Sequence, residues 1–258
     1  MGLVIVKLGG SIITRKRETS TLRRKVLTHL ARELREGSGK GANSLVVLHG
    51  AGSFGHPYAK EWNLSHAPKP EDRDRLRGAA ITSVHVRQLH DHVLKSLIDA
   101  GLPALSIPPQ TLATNDQGKL TTFEDSAFRT ALEAGAVPVS FGDVVRDRSW
   151  GFSILSGDDI AVYLAEKLRA ERVIFVSDVP GVLDKGKASS VVPHLTPGVV
   201  ESLQPTPGVP DVTGGIRGKA EKMLKIAAGG TPCVILSGLS RDRLKQALQG
   251  EKVYGTWT

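Results

Sequence analysis

The chain has a single cysteine, Cys233, among its 258 residues. That excludes an internal disulfide and a cysteine-built zinc site, and it fits a reducing cytosol. Aromatic residues make up only 5% of the sequence, and no nucleic-acid module is present, so nucleic acid is not an expected partner. No apolar run approaches the ~20 residues that cross a bilayer, so no membrane association is expected. The opening "MGLVIVKLGG" lacks the basic start of a signal peptide and reads as a strand. No nucleophilic triad or general-base pair stands out. The histidines lack metal-ligand spacing; His90 and His92, two apart on a helix, do not share a face.

Positive charge is plentiful. The formal net charge is +8, which favours anionic partners such as phosphorylated small molecules. The densest basic run, "TRKRETSTLRRK" (14–25), reads on composition alone as a solvated loop and helix face.

Short apolar runs at 3–8, 44–49, 103–108, 136–141, 172–177 and 232–237 are near-continuous, as in strands buried on both faces. Between them, 19–36, 71–100, 123–134, 157–169, 213–228 and 240–249 have helical character, and 144–155 looks like a hairpin. The alternation predicts an α/β fold, a mostly parallel sheet with helices on both faces. In the long helix, Ile81, Val84, Leu89, Val93, Leu97 and Ile98 fall near one stripe, which could line an apolar pocket or simply be core. No linker divides the chain, although the region near 142–156 could separate two lobes.

Glycine-rich turns follow the strands or open the helices: "KLGGS" (7–11), "HGAGSFGH" (49–56) and "TGGIRGK" (213–219), with "SGDD" (156–159) opening another helix. Gly50-x-Gly52-x-x-Gly55 formally matches a dinucleotide fingerprint. That fingerprint also needs a helix opening at once and an acidic residue ending the next strand, ~20 residues on. The three prolines of "HPYAKEWNLSHAPKP" allow at most a short helix, and Glu71 and Asp72 sit in a charged, non-strand segment. "TGGIRGKA" is not a phosphate loop of the Walker type, because Thr213 and Ala220 stand where Gly and Ser/Thr are required. Backbone N–H groups in such turns bind phosphate, and two of the turns carry lysines: Lys7 in the first, with Lys16 following it, and Lys219 at the end of the last. Several lysines and glycine turns without an acid–base pair suit phosphoryl transfer, which is carried by positioning and charge neutralisation.

"VKLGGSIIT.K", "HGAGSFGH", "GDVV", "SGDDI", "SDVPGVL" and "DVTGGIRGK" occur in the order found in the amino acid kinases, over essentially the whole chain. Among these, the first, second and last resemble the isopentenyl phosphate kinases. The resemblance implies an open αβα sandwich forming one domain over 1–258. An acceptor lobe would span about 1–150 and a nucleotide lobe about 151–258. It implies a cytoplasmic homodimer that uses ATP with Mg2+ to convert isopentenyl phosphate to the diphosphate. It assigns Lys7, Lys16 and Lys219 to the transferring phosphoryl group and Asp158 to aligning the lysines, with Asp159 as a helix cap. Gly50, Ala51, Gly52, Gly55, His56 and Gly142 would face the acceptor, His56 donating to its phosphate. Lys7, Gly9, Gly10, Ser11, Gly52, Asp178, Gly181, Gly214, Gly215 and Lys219 would meet ATP. The family's second aspartate after Asp178 is replaced here by Pro180, which also lacks a backbone donor. A fosfomycin-type phosphonate kinase and a non-catalytic nucleotide sensor on the same fold are the alternatives.

Overall fold

A computed structural model describes residues 2–39, 44–183, 190–203 and 215–258. The expected strands appear as β1 (Val4–Leu8), β2 (Leu45–His49), β3 (Ala104–Ser106), β6 (Val137–Phe141), β9 (Arg172–Ser177) and β10 (Cys233–Ser237). With the two-residue β11 (Thr256–Trp257) they form a seven-stranded sheet in the order β11-β10-β9-β1-β2-β6-β3, and only β11 is antiparallel.

Strand periodicity explains why these runs are apolar throughout. Val4, Val6 and Leu8 face one core with Leu45, Val47, Ile174 and Val176. Ile5 faces a second core, on the opposite side of the sheet, with Val46, Leu48, Val173 and Phe175. Each fully buried side chain of this kind contributes about 1.5–3 kcal/mol. The first core is covered by α1 (Gly10–Ile13), α2 (Arg24–Gly37), α3 (Gly52–Glu61), α4 (Arg75–Asp99) and α9 (Arg243–Leu248); the second by α5 (Ser126–Glu133), α6 (Gly157–Lys167), α7 (Pro197–Ser202) and α8 (Gly215–Ala228). The fold is an open αβα sandwich.

A second sheet, order β5-β4-β7-β8, joins β4 (Ala113–Asp116), β5 (Lys119–Phe123), β7 (Asp143–Asp147) and β8 (Gly151–Leu155). The β7–β8 hairpin was legible in sequence; β4–β5 was not. Trp150 lies in the β7–β8 turn.

Three expectations change. "GSFGHPYAKE" forms a ten-residue helix, α3, despite Pro57. Pro57 cannot donate to the Ser53 carbonyl one turn back. That carbonyl instead accepts from the Ser20 N–H at 3.0 Å, so nothing is left unpaired there. "PGVVES", outside the segments with helical character, forms α7, with Thr196 as its cap accepting from Val199 N and Pro197 in its first turn. In α4, Leu89, Val93 and Leu97 are buried, but Val84 and Ile98 are more than half exposed. The stripe is therefore core only in part.

Candidate active site

The parallel strands of the central sheet end at Leu8, His49, Phe141 and Ser177, so the turns that follow them gather along one edge. The chain adds β2 on one side of β1 and β9 on the other. Ligands in open α/β sheets bind at such a crevice, beyond the carboxyl ends of the strands.

Lys7 breaks the apolar run of β1 and shares the face of Ile5. It is 6% exposed, and an unpaired lysine is almost never that buried. Its Nζ lies 2.6 Å from Asp158 Oδ1, and Lys219 Nζ lies 2.8 Å from Asp158 Oδ2. Asp158, in the first turn of α6, thus bridges two lysines from two other elements. Lys219 also lies 5.2 Å from the Phe175 ring centroid, a cation–π contact. Burial disfavours the Asp158 carboxylate, but the ammonium groups of Lys219 and Lys7 outweigh it and hold the carboxyl well below its usual range. Burial lowers Lys7 to about 8; Asp158 opposes that fall and the like charge of Lys219 adds to it. The helix cap of α6 is Ser156, whose Oγ accepts from Asp159 N; Asp159 itself pairs with Lys222 at 2.9 Å.

The glycines let three turns touch. A Cβ on Gly10 would overlap the Gly52 amide, so the β1 and β2 turns meet backbone to backbone. Gly52 has φ +51, a left-handed conformation that suits glycine. Gly142 N donates to the His49 carbonyl at 3.0 Å, and a Cβ on Gly142 would lie 2.9 Å from Gly157 N. Gly9 N donates to Val176 O at 2.8 Å. Gly55 packs on Ala51 and Val86.

Lys16 is half-exposed and pairs with Asp178 at 3.3 Å; Ser11 Oγ donates to the other Asp178 oxygen at 2.7 Å. Burial opposes the Asp178 carboxylate, while Ser11 and Lys16 lower its pKa on balance. Ser11, Thr14, Arg15, Lys16, Arg23 and Asp178 line an open cavity of about 340 Å³. His56 lies half-buried one helical turn beyond Gly52, within α3, so it is presented by a helix and not by a chain leaving the turn. Gly181 packs against Val191 and Thr256, and Gly215 opens α8. Gly214 lies outside the described residues. Among those described, no group of three or more His, Cys, Asp or Glu side chains is placed to hold a metal, and no helix is long and apolar enough to cross a membrane.

Sequence reasoning missed Thr14 and Ser53. Thr14 Oγ1 donates to Gly10 O at 2.8 Å and accepts from Ser53 N at 2.9 Å. Ser53 Oγ accepts from Thr21 N at 3.2 Å. Both residues sit inside the quoted motifs, but a hydroxyl's partners are tertiary and leave no spacing to read. One argument against a dinucleotide also falls, since α3 opens within the glycine run itself, at Gly52. The other stands: the next strand, β3, begins only at Ala104, and Glu71 and Asp72 lie in a non-strand segment.

The family model described as the amino acid kinase family matches residues 2–237. The isopentenyl phosphate kinase of Methanothermobacter thermautotrophicus is 37% identical over 98% of both chains. Among solved structures, an isopentenyl phosphate kinase superposes with TM-score 0.84 at 33% identity, over 99% of this chain and 100% of the other. The product complex of the T. acidophilum isopentenyl phosphate kinase does so with TM-score 0.79 at 28% identity, over 99% of each. With its lysine–aspartate–lysine bridge at the strand ends, the chain belongs to the amino acid kinase family and groups there with the isopentenyl phosphate kinases.

Proposed function

We propose that the protein transfers the γ-phosphoryl group of ATP to an oxygen of the phosphate of isopentenyl phosphate, giving isopentenyl diphosphate and ADP. The observation that carries this reading is the Lys7–Asp158–Lys219 bridge. A carboxylate held ionised between two ammonium groups is a poor base at neutral pH. The nucleophile must then arrive already deprotonated. A phosphate monoester does, because its second pKa is about 6.

In this scheme Lys7 and Lys219 present positive charge where the phosphoryl oxygens pass, and Asp158 keeps both aligned. Lys16 approaches the same group from the loop after α1. Gly10 and Ser11 offer backbone N–H groups to the ATP phosphates, and Gly9, whose own N–H is taken by Val176 O, shapes the turn beside them, with Asp178, Gly181, Gly214 and Gly215 on the nucleotide side. Gly50, Ala51, Gly52, Gly55, His56 and Gly142 serve the acceptor, the histidine donating to its phosphate. The acceptor half is about 1–150 and the nucleotide half about 151–258. Mg2+ would enter on the ATP phosphates and supply charge neutralisation there. A cytoplasmic homodimer completes the proposal, on the family resemblance and the single buried cysteine.

The test is a screen of purified protein with Mg–ATP against isopentenyl phosphate, dimethylallyl phosphate, geranyl phosphate, fosfomycin and acetylglutamate. Fastest turnover of isopentenyl phosphate is expected. Robust acetylglutamate turnover with none on isopentenyl phosphate overturns the assignment.

A further inference from the structure

His49 ends β2 and opens the glycine run, yet the scheme above gives its side chain no part. Its ring is fully buried, and His90 on α4 is 3% exposed. Burial pushes both imidazoles down, His49 to about 3 and His90 to about 4, so both are neutral near pH 7. A neutral imidazole has one N–H and one lone pair. His49 Nδ1 lies 3.1 Å from the Gly50 carbonyl oxygen, which can only accept, so Nδ1 carries the proton. His49 Nε2 must then accept, and it lies 3.1 Å from His90 Nδ1, which donates. His90 Nε2 accepts in turn from the Ser106 hydroxyl at 2.7 Å. One backbone carbonyl therefore sets the direction of a chain reaching from edge strand β3 to the glycine turn. Phe141 holds both rings, its centroid 5.3 Å from that of His49 and 4.2 Å from that of His90.

We infer that the Ser106–His90–His49 chain is a positioning device for the acceptor turn, fixing the Gly50–Ala51 peptide so that the Ala51 N–H faces the acceptor phosphate. The peptide is planar and trans, so pinning its carbonyl fixes its N–H in the opposite direction. The same residue ties in the neighbouring turns. The His49 carbonyl accepts from Gly142 N and lies 2.9 Å from the point where a Gly157 Cβ would stand, one residue before Asp158. His49 and His90 act through the backbone and are positioning residues, not catalytic ones. The inference rests on the proposed function in taking Ala51 as acceptor-facing.

Two measurements on the full chain separate the possibilities. Imidazole 15N NMR of the wild type without substrate, near pH 7, should show His49 neutral as the Nδ1–H tautomer, the minor form of free histidine. A charged ring, or the Nε2–H tautomer, overturns the chain whatever the enzyme's substrate is. In steady-state kinetics, His90→Phe should raise the acceptor KM about fivefold to tenfold, the scale of one lost hydrogen bond. The ATP KM should be unchanged, and His90→Asn, whose amide can donate near the Nδ1 position, should recover most of the loss. A folded His90→Phe variant with wild-type acceptor KM overturns the positioning role. If His90→Phe does not fold, Ser106→Ala breaks the chain at its exposed end, and an acceptor KM raised about threefold is expected; an unchanged KM there counts equally against the role. Failure of the wild type to phosphorylate isopentenyl phosphate overturns the proposed function and, with it, the acceptor-facing part of the inference, while the tautomer reports on the chain independently.

Discussion

Lys7 Nζ stands 2.6 Å from Asp158 Oδ1, with both side chains more than nine-tenths buried, and Lys219 completes the bridge on the other carboxylate oxygen. Removing one partner of a buried pair leaves uncompensated charge, at a cost of about 3–5 kcal/mol. Asp158→Asn leaves the buried Lys7 ammonium facing the partly buried Lys219 ammonium with no carboxylate between them. Thermal unfolding should show a clear loss of Tm, and kcat should fall on the order of a hundredfold. Unchanged values for both would mean that the bridge is neither structural nor catalytic.

The basic limb of the pH–rate profile should report Lys7. Its pKa is lowered to about 8 in the free protein, so charge at the β1 terminus is lost as pH rises through that value. The limb of kcat/KM, which reads the free enzyme, should break near pH 8. Bound ATP phosphates add negative charge beside the ammonium and raise its pKa, so the limb of kcat should lie at higher pH. Profiles recorded at saturating and at low substrate decide this; coincident limbs count against Lys7 as the group.

Lys16 and Lys219 should separate stability from rate. Both variants to alanine should lower kcat more than they raise the acceptor KM, since their charge is needed most in the transition state. Lys219 packs against the buried Asp158 and Phe175 with its side chain only 14% exposed, so its loss should also lower Tm. Lys16 is half-exposed, and an exposed ion pair is worth little, so Lys16→Ala should leave Tm within a degree or so. Wild-type kcat in either variant would make that lysine a bystander.

His56→Ala should act on the acceptor alone. A hydrogen bond to a charged phosphate is worth about 1.5–3 kcal/mol, so the acceptor KM should rise roughly ten- to a hundredfold. The acceptor phosphate is charged in both ground and transition states, so kcat should change less, and the ATP KM should hold. Gln should retain more activity than Ala. An acceptor KM unmoved by the Ala substitution would reduce His56 to a structural member of α3.

Acid should destabilise the fold before the carboxylates titrate generally. His49 and His90 are held neutral in the native state, with pKa values of about 3 and 4, but protonate near 6.5 when unfolded. The unfolded chain therefore binds more protons as pH falls below 6.5, and stability drops until the native pKa values are reached. Asp143, raised by burial to about 7, acts oppositely, gaining native stability as pH falls from 7 towards 4. The two histidines outweigh the one aspartate, leaving a net loss of a few kcal/mol, ~1.4 per pKa unit. Tm measured from pH 7 to pH 4 should fall, and Asp143→Asn should steepen the fall. A flat profile would contradict the buried neutral pair.

Most of the central sheet was legible because burial on both faces leaves unbroken apolar runs, and Lys7 was legible as an intrusion into one of them. The β4–β5 hairpin was not, because "ATND" and "KLTTF" mix polar and apolar residues without a strong period. Helix α3 was hidden by Pro57, whose missing bond is made good by Ser20, thirty-seven positions earlier. The meeting of Asp158 with both lysines was expected only from family resemblance. The contact of His49 with His90, 41 positions apart, was not expected at all. Local pattern reports which face a residue takes, whereas partners across the sheet edge depend on where crossovers return the chain.

Ser53 has all three of its polar groups engaged by the stretch from Thr14 to Thr21: its N–H by Thr14, its carbonyl by Ser20 and its hydroxyl by Thr21. The helix that carries His56 and the loop that carries Lys16 are thereby riveted into one piece. The span from one to the other is set before any substrate arrives, and it works as a gauge. In the scheme proposed above, an acceptor is admitted by the distance between its own phosphate and the incoming phosphoryl group, whatever the rest of the molecule looks like. Diversification of the tail would then leave the gauge untouched, while a one-residue insertion between Lys16 and Ser20 would reset it.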